Sequence, residues 1–130
     1  MTNEASINEK CRAVNDYIAQ TTGTENYYKH PFSKIVYSDG VKFVADTCGA
    51  HWLIDIILSW QTSPKVKVQE FQVWSLDRAG VASSKFIAIC EDGNGHVVTR
   101  QEIDYTDFPA ALLPIKFYVE NGVLYLPAER

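Results

Sequence analysis

Pro64 divides this chain into two patterns that one kind of secondary structure cannot satisfy. Before it, apolar residues recur at helical spacing; after it, they fall in short runs separated by turn residues. Helices followed by strands, rather than alternating with them, point to an α+β fold and away from a doubly wound sheet. The architecture expected is N-terminal helices packed on a C-terminal antiparallel meander of four to five strands. One domain over residues 1–130 suits the length, since a hydrophobic core commonly serves about 100–150 residues.

Ile7, Cys11, Val14 and Ile18 recur at i, i+4, i+7 and i+11, which predicts an amphipathic helix from Asn3 to Gln20. Thr22-Gly23-Thr24-Glu25 has capping-box spacing, so a short helix is expected between it and Pro31. Ser38-Asp39-Gly40 is a turn signal whose Asp39 can cap a following helix, with Val41, Val44 and Cys48 along one face. Gly49 interrupts this pattern. Ala50 to Gln61 then reads as a helix apolar on almost every side, which belongs inside.

The strand candidates after Pro64 are Val66 to Leu76, Lys85 to Glu91, His96 to Tyr105, Ile115 to Glu120 and Val123 to Leu126. Asp92-Gly93-Asn94-Gly95 reads as a β-turn, and Asn121-Gly122 is the preferred pair of a two-residue hairpin. That hairpin sets Glu120 against Val123, Val119 against Leu124, Tyr118 against Tyr125 and Phe117 against Leu126. Alternation sends Phe117, Val119, Leu124 and Leu126 to the core and leaves a tyrosine pair on the other face.

Net charge is −4, with five basic against seven acidic residues up to Ser63 and seven against nine beyond it. With no basic block, general binding to nucleic acid or to an anionic membrane is not expected. No apolar run reaches the roughly 18 residues that span a bilayer, and the start Met1-Thr2-Asn3-Glu4 lacks the basic and apolar character of a secretory signal. Cys11, Cys48 and Cys90 are odd in number and share no C-x-x-C spacing, so reduced thiols and a cytoplasmic location are expected.

Several groups of residues together resemble a known family. They are Gly23-Thr24-Glu25 with Tyr27, Tyr28 and His30; Asp39-Gly40-Val41; Trp52-Leu53-Ile54-Asp55 with Gln61; Phe71 with Trp74; Tyr105-Thr106-Asp107-Phe108-Pro109; and Glu120-Asn121-Gly122-Val123-Leu124 ending in Leu126-Pro127. The chain is similar over most of its length from Gly23 to an uncharacterised family of small bacterial proteins often encoded on plasmids and phages. The resemblance implies an accessory role on a mobile genetic element and supplies no catalytic residues. His51 stands where the family pattern leads one to expect an aromatic residue.

Chemistry is carried by few residues. Cys48, His51 and Asp55 lie at i, i+3 and i+7, so an unbroken helix would set a base between a nucleophile and an orienting carboxylate. The plainer reading is a buried thiol, a histidine at a helix junction and a hydrogen-bonded acid. With His30 or His96 the same three could begin a metal site, but no fourth ligand has a recognised spacing; neither metal nor cofactor is expected. The loop from Asp92 lacks the Gly and Glu of a calcium loop, having Val97 and Ile103 at those places.

Asp55 in an apolar helix must be paired, hydrogen-bonded or neutral, and with His51 and Ser59 it forms a polar stripe that could floor a pocket. Tyr27, Tyr28, His30, Trp52 and Asp55 are the candidate ligand-binding residues, although Tyr27, Tyr28, Tyr37, Trp52, Trp60 and Trp74 read more simply as packing. Arg100, Glu102 and Asp104 share a strand face, with Asp107 following; a solvated side of a sheet explains them better than acid–base chemistry. The leading reading is therefore a small non-enzymatic binding or protein-interaction module with a protein or small-molecule partner. An enzyme using Cys48, His51 and Asp55 comes second and a structural subunit third, homo-oligomerisation remaining open.

Overall fold

The structure, a computed structural model, describes residues 4–80, 85–104 and 106–130. Helix α1 (Glu4–Gln20) is followed by a hairpin of β1 (Tyr27–His30) and β2 (Ser33–Ser38), then by α2 (Asp39–Cys48), α3 (His51–Ser59) and the short α4 (Pro64–Lys67). Strands β3 (Phe71–Arg78), β4 (Phe86–Glu91), β5 (Val97–Ile103), β6 (Ile115–Glu120) and β7 (Val123–Tyr125) complete one seven-stranded sheet in the order β1-β2-β7-β6-β3-β4-β5. The ends assigned from sequence to α1 at Asn3 and to the third strand at Tyr105 lie outside the described residues.

The α+β class stands, with the helices on the amino-terminal side of the chain, but the sheet is larger than expected and mixed. Two strands not expected from the sequence, β1 and β2, enlarge it. Tyr27–His30 is a strand where a short helix was expected, and it forms a bulged hairpin with Ser33–Ser38. The capping box fails at Glu25, whose N–H donates to Asp39 Oδ2 at 2.9 Å, while the neighbouring Thr24 hydroxyl accepts from the Asp39 N–H at 2.9 Å and donates to the Asn26 carbonyl at 2.9 Å. The chain leaves β2 through the helices and returns to its side only with β7, so these two pair in parallel, Val36 with Val123 and Tyr37 with Leu124. Val66 belongs to α4 rather than to a strand, since Pro64 suits the first turn of a helix, and β3 starts only at Phe71.

Ser38, not Asp39, caps α2, its hydroxyl accepting from the Val41 N–H at 3.2 Å. Gly49 ends that helix at φ +63°, and a new helix starts at His51. One face of the sheet packs on the helices. Trp74, Leu76, Ala88, Cys90, Phe117, Val119, Leu124 and Leu126 there meet Val14, Val41, Val44, Leu53, Ile57 and Val66.

The Asn121-Gly122 hairpin has the expected register from Glu120–Val123 to Tyr118–Tyr125. Both turn residues have positive φ, 53° and 76°. Space around the missing Gly122 side chain is open, so a substitution there meets backbone strain alone. Gly122→Val should cost about 1 kcal/mol or more in chemical denaturation; an unchanged midpoint would contradict the turn.

Candidate functional site

The αL residue Gly49 divides Cys48 from His51 and Asp55, and each of the three finds a different environment. Cys48 is buried, and that burial, ahead of all nearby charges, pushes its thiol up to about 11; it is held as thiol, not thiolate. His51 sits at the surface, its Nε2 2.6 Å from the Asp46 carboxylate, which also accepts from Lys42 Nζ at 2.6 Å. Asp55 turns the other way, to His30 Nε2 at 2.8 Å. Its side chain is 67% exposed, so it floors no pocket, and Ser59 donates instead to the Ile56 carbonyl at 2.7 Å.

His30 is the better-oriented histidine, yet both ring nitrogens are in use. Nδ1 accepts from the Phe32 N–H at 3.2 Å, which makes Nε2 the protonated nitrogen that donates to Asp55. A neutral ring so held has no lone pair left for a substrate proton. A cleft of about 530 Å³ beneath the hairpin tip at Phe32 is lined by Lys34, Gln61, Lys67, Gln72 and Asn121 among others and by none of Cys48, His51 and Asp55.

Tyr28 and His30 alternate with Tyr27 and Lys29, so they share the helical side of β1. There Tyr28 donates its hydroxyl to Asp39 at 2.9 Å and stacks on Tyr37, while His30 reaches α3. Two helix carboxylates thus clasp the edge strand. Asp39 also accepts from the N–H groups of Glu25 at 2.9 Å and Asn26 at 3.0 Å. The Glu25 bond, above all, and then the Tyr28 and Asn26 bonds overcome partial desolvation and hold this carboxyl down at about 2 against an ordinary 3.8. Tyr28 in turn is raised by its bond to Asp39, so it stays a phenol. Because the folded value is depressed, the stability Asp39 contributes is complete above its ordinary value and disappears as pH falls through about 2. Acid titration of stability should therefore show wild type losing more than Asp39→Asn across that interval; parallel curves would remove Asp39 from the clasp.

A third carboxylate, which no sequence pattern marks, closes the start of α2. Glu129 is buried, accepts from the Ser38 hydroxyl at 2.6 Å and the Leu126 N–H at 2.9 Å through Oε1, and from the Gly40 N–H at 3.0 Å through Oε2. A side chain at residue 40 would lie 2.5 Å from Glu129 Oε1, which explains Gly40. Ser38 and Glu129 are 91 residues apart, and no local pattern joins them.

Of the candidate ligand-binding residues, Tyr28, His30 and Asp55 are thus spent inside the molecule, and Trp52 is half-buried against the core. Tyr27 alone is turned away, 56% exposed on the opposite face of the sheet. Among the described residues that face carries Phe71, Val73, Ile89, Tyr118, Val123 and Tyr125, all half-buried and none part of the core cluster. Tyr118 meets Phe71 edge-on at 4.9 Å and Tyr125 at 5.8 Å. Arg130 lays its guanidinium 4.9 Å from the Phe71 ring centre and 5.7 Å from that of Tyr118. Glu120 accepts the Tyr125 hydroxyl at 2.7 Å, with Arg130 at 3.8 Å. Burial, followed by that bond, pushes Tyr125 up to about 12. Beside this cluster lies a shallow depression of about 260 Å³ lined by Tyr27, Val123, Tyr125 and Arg130 among others. Arg100 and Glu102 are exposed on the same face, as the alternating pattern predicts.

Among curated proteins and among solved structures nothing matches the chain significantly. A family model does match, over residues 12–130, a span that contains every position on which the sequence resemblance rests. The chain belongs to DUF6876, a family of unknown function.

Proposed function

We propose that this chain is a non-enzymatic protein-interaction module that binds a protein partner through the open face of its sheet. The observation that carries the reading is the cluster of Phe71, Tyr118, Tyr125 and Arg130, continued by the exposed Tyr27, on a face that the core leaves unused. Rigid aromatics beside an arginine, rimmed by charges such as Lys116 and Glu91, are the composition of an interface centre. The breadth and shallowness of the face suit a protein surface better than a small molecule, which favours enclosure. An enzyme built on Cys48, His51 and Asp55 has the geometry against it, since the thiol is buried and each acid or base is bonded elsewhere.

The accessory role on a mobile genetic element implied by the resemblance, and a cytoplasmic location, belong to this proposal and rest on sequence alone. Among the described residues no helix is long and apolar enough to cross a membrane. Affinity capture from the native host with wild type, Tyr27→Ala/Tyr118→Ala and the hairpin-tip control Phe32→Ala tests the face. A protein enriched by wild type and by the control, but not by the double variant, supports it; partners held equally by all three refute it.

A further inference from the structure

The two edges of the sheet are built differently. Strand β1 is four residues long, bulged between Lys29 and His30, and clasped by Asp39 and Asp55. Among the described residues strand β5 pairs only with β4; it is seven residues long, and beyond its bulge near Val97 it runs regularly from Thr99 to Ile103. Its bonding direction follows from the neighbouring strands. Ala79 donates its N–H to the Lys85 carbonyl at 2.9 Å, so that opposed pair is hydrogen-bonded. Bonded pairs alternate along an antiparallel ladder; Asp77–Ile87, Ser75–Ile89 and Val73–Glu91 are therefore bonded too. That turns the backbone groups of Phe86, Ala88 and Cys90 toward β5, where they meet Ile103, Gln101 and Thr99. The N–H and C=O groups of Arg100 and Glu102 consequently point out of the sheet edge, and their exposed side chains lie on the open face.

We infer that a second copy of this chain pairs with β5 across a two-fold axis at Gln101, joining two sheets into one. An antiparallel partner must set outward-pointing residues opposite one another, which leaves three symmetric registers for this segment. Two of them place Arg100 against Arg100 or Glu102 against Glu102. The third opposes Arg100 of each copy to Glu102 of the other, forming two ion pairs on one face and four backbone hydrogen bonds between them. Charges on an edge strand ordinarily ward off pairing. Here their alternation admits one register and rejects its neighbours. On the helical side the two Gln101 amides meet, each Oε1 already accepting the Trp60 indole N–H at 2.8 Å. The open faces become continuous across the axis.

Sedimentation equilibrium from micromolar to millimolar chain, with thermal unfolding as the check on folding, tests this. Wild type should dimerise reversibly, more weakly as salt is added. Arg100→Glu should weaken association by about a hundredfold, since it creates two like-charge pairs, and the swap Arg100→Glu/Glu102→Arg should restore it in the same register. Glu102→Pro removes an outward N–H that the monomer does not use and should abolish the dimer while leaving the fold intact. A chain monomeric throughout, a dimer indifferent to Arg100→Glu and Glu102→Pro, or a swap no better than the single reversal would each overturn the inference.

Discussion

Replacing Glu129 with Leu should lower the free energy of unfolding by about 3 kcal/mol, because three donors lose their acceptor together where water cannot replace it. The donors are the Ser38 hydroxyl and the N–H groups of Gly40 and Leu126. Ser38 is itself the cap of α2, so the loss reaches the first turn of that helix and its packing on β7. Glu129→Gln keeps one acceptor oxygen and turns an amide NH₂ toward the remaining donors, and should cost about half as much. Urea denaturation followed by circular dichroism measures both. Near-equal stability of wild type and Glu129→Leu would show that the segment after β7 is not what holds the start of α2.

The second large effect is expected at Gln72, a buried amide on the core side of β3. It exchanges two hydrogen bonds of 2.8 Å with Gln61, accepts the Trp74 indole N–H at 2.8 Å and donates to the Val66 carbonyl at 3.2 Å. Gln72→Leu strands the buried indole N–H and removes the reciprocal pair with Gln61, whose NH₂ keeps only the Ile57 carbonyl at 3.1 Å, and should cost about 3 kcal/mol. Gln61→Leu should cost less, since Gln61 is only half-buried. The double variant should fall short of the sum of the two, because after the first change the reciprocal pair is already gone. Strict additivity in a double-mutant cycle would mean that the two amides act separately.

Legibility in the sequence followed the range of the interactions. The Asn121-Gly122 hairpin, its register and the turn after Asp92 depend on a few adjacent residues, and both could be read directly. So could the core faces of β6 and β7, which follow from alternation once the turn is placed. Strand β1 could not, because Thr22-Gly23-Thr24-Glu25 carries a helix-start spacing, while the fold commits Thr24 and the Glu25 N–H to Asp39. Asp39 was recognised as a helix-start residue, but its carboxylate serves the loop before β1 while Ser38 performs the capping.

The same distinction governs the site. Helical spacing proposed Cys48, His51 and Asp55 as neighbours, and Gly49 with its positive φ undoes that spacing. Asp55 was expected to need a partner because its helix reads apolar, yet its side chain is 67% exposed, and the group it meets is His30, 25 residues earlier on an edge strand. The open face was half visible, since the Tyr118–Tyr125 pair follows from the hairpin. Phe71 and Arg130 join it only through the sheet order, which brings β3 beside β6 and returns the chain after β7 to the same surface.

On the function proposed above, the open sheet face rather than a catalytic centre is the working surface. Hydrogen–deuterium exchange of the chain alone and in complex with the partner captured from its host tests this most directly. Protection gained on binding should fall on β3, β6 and β7 around Phe71, Tyr118 and Tyr125, with α3 unchanged. Protection centred instead on His51 and Asp55, with the strands unaffected, would contradict it.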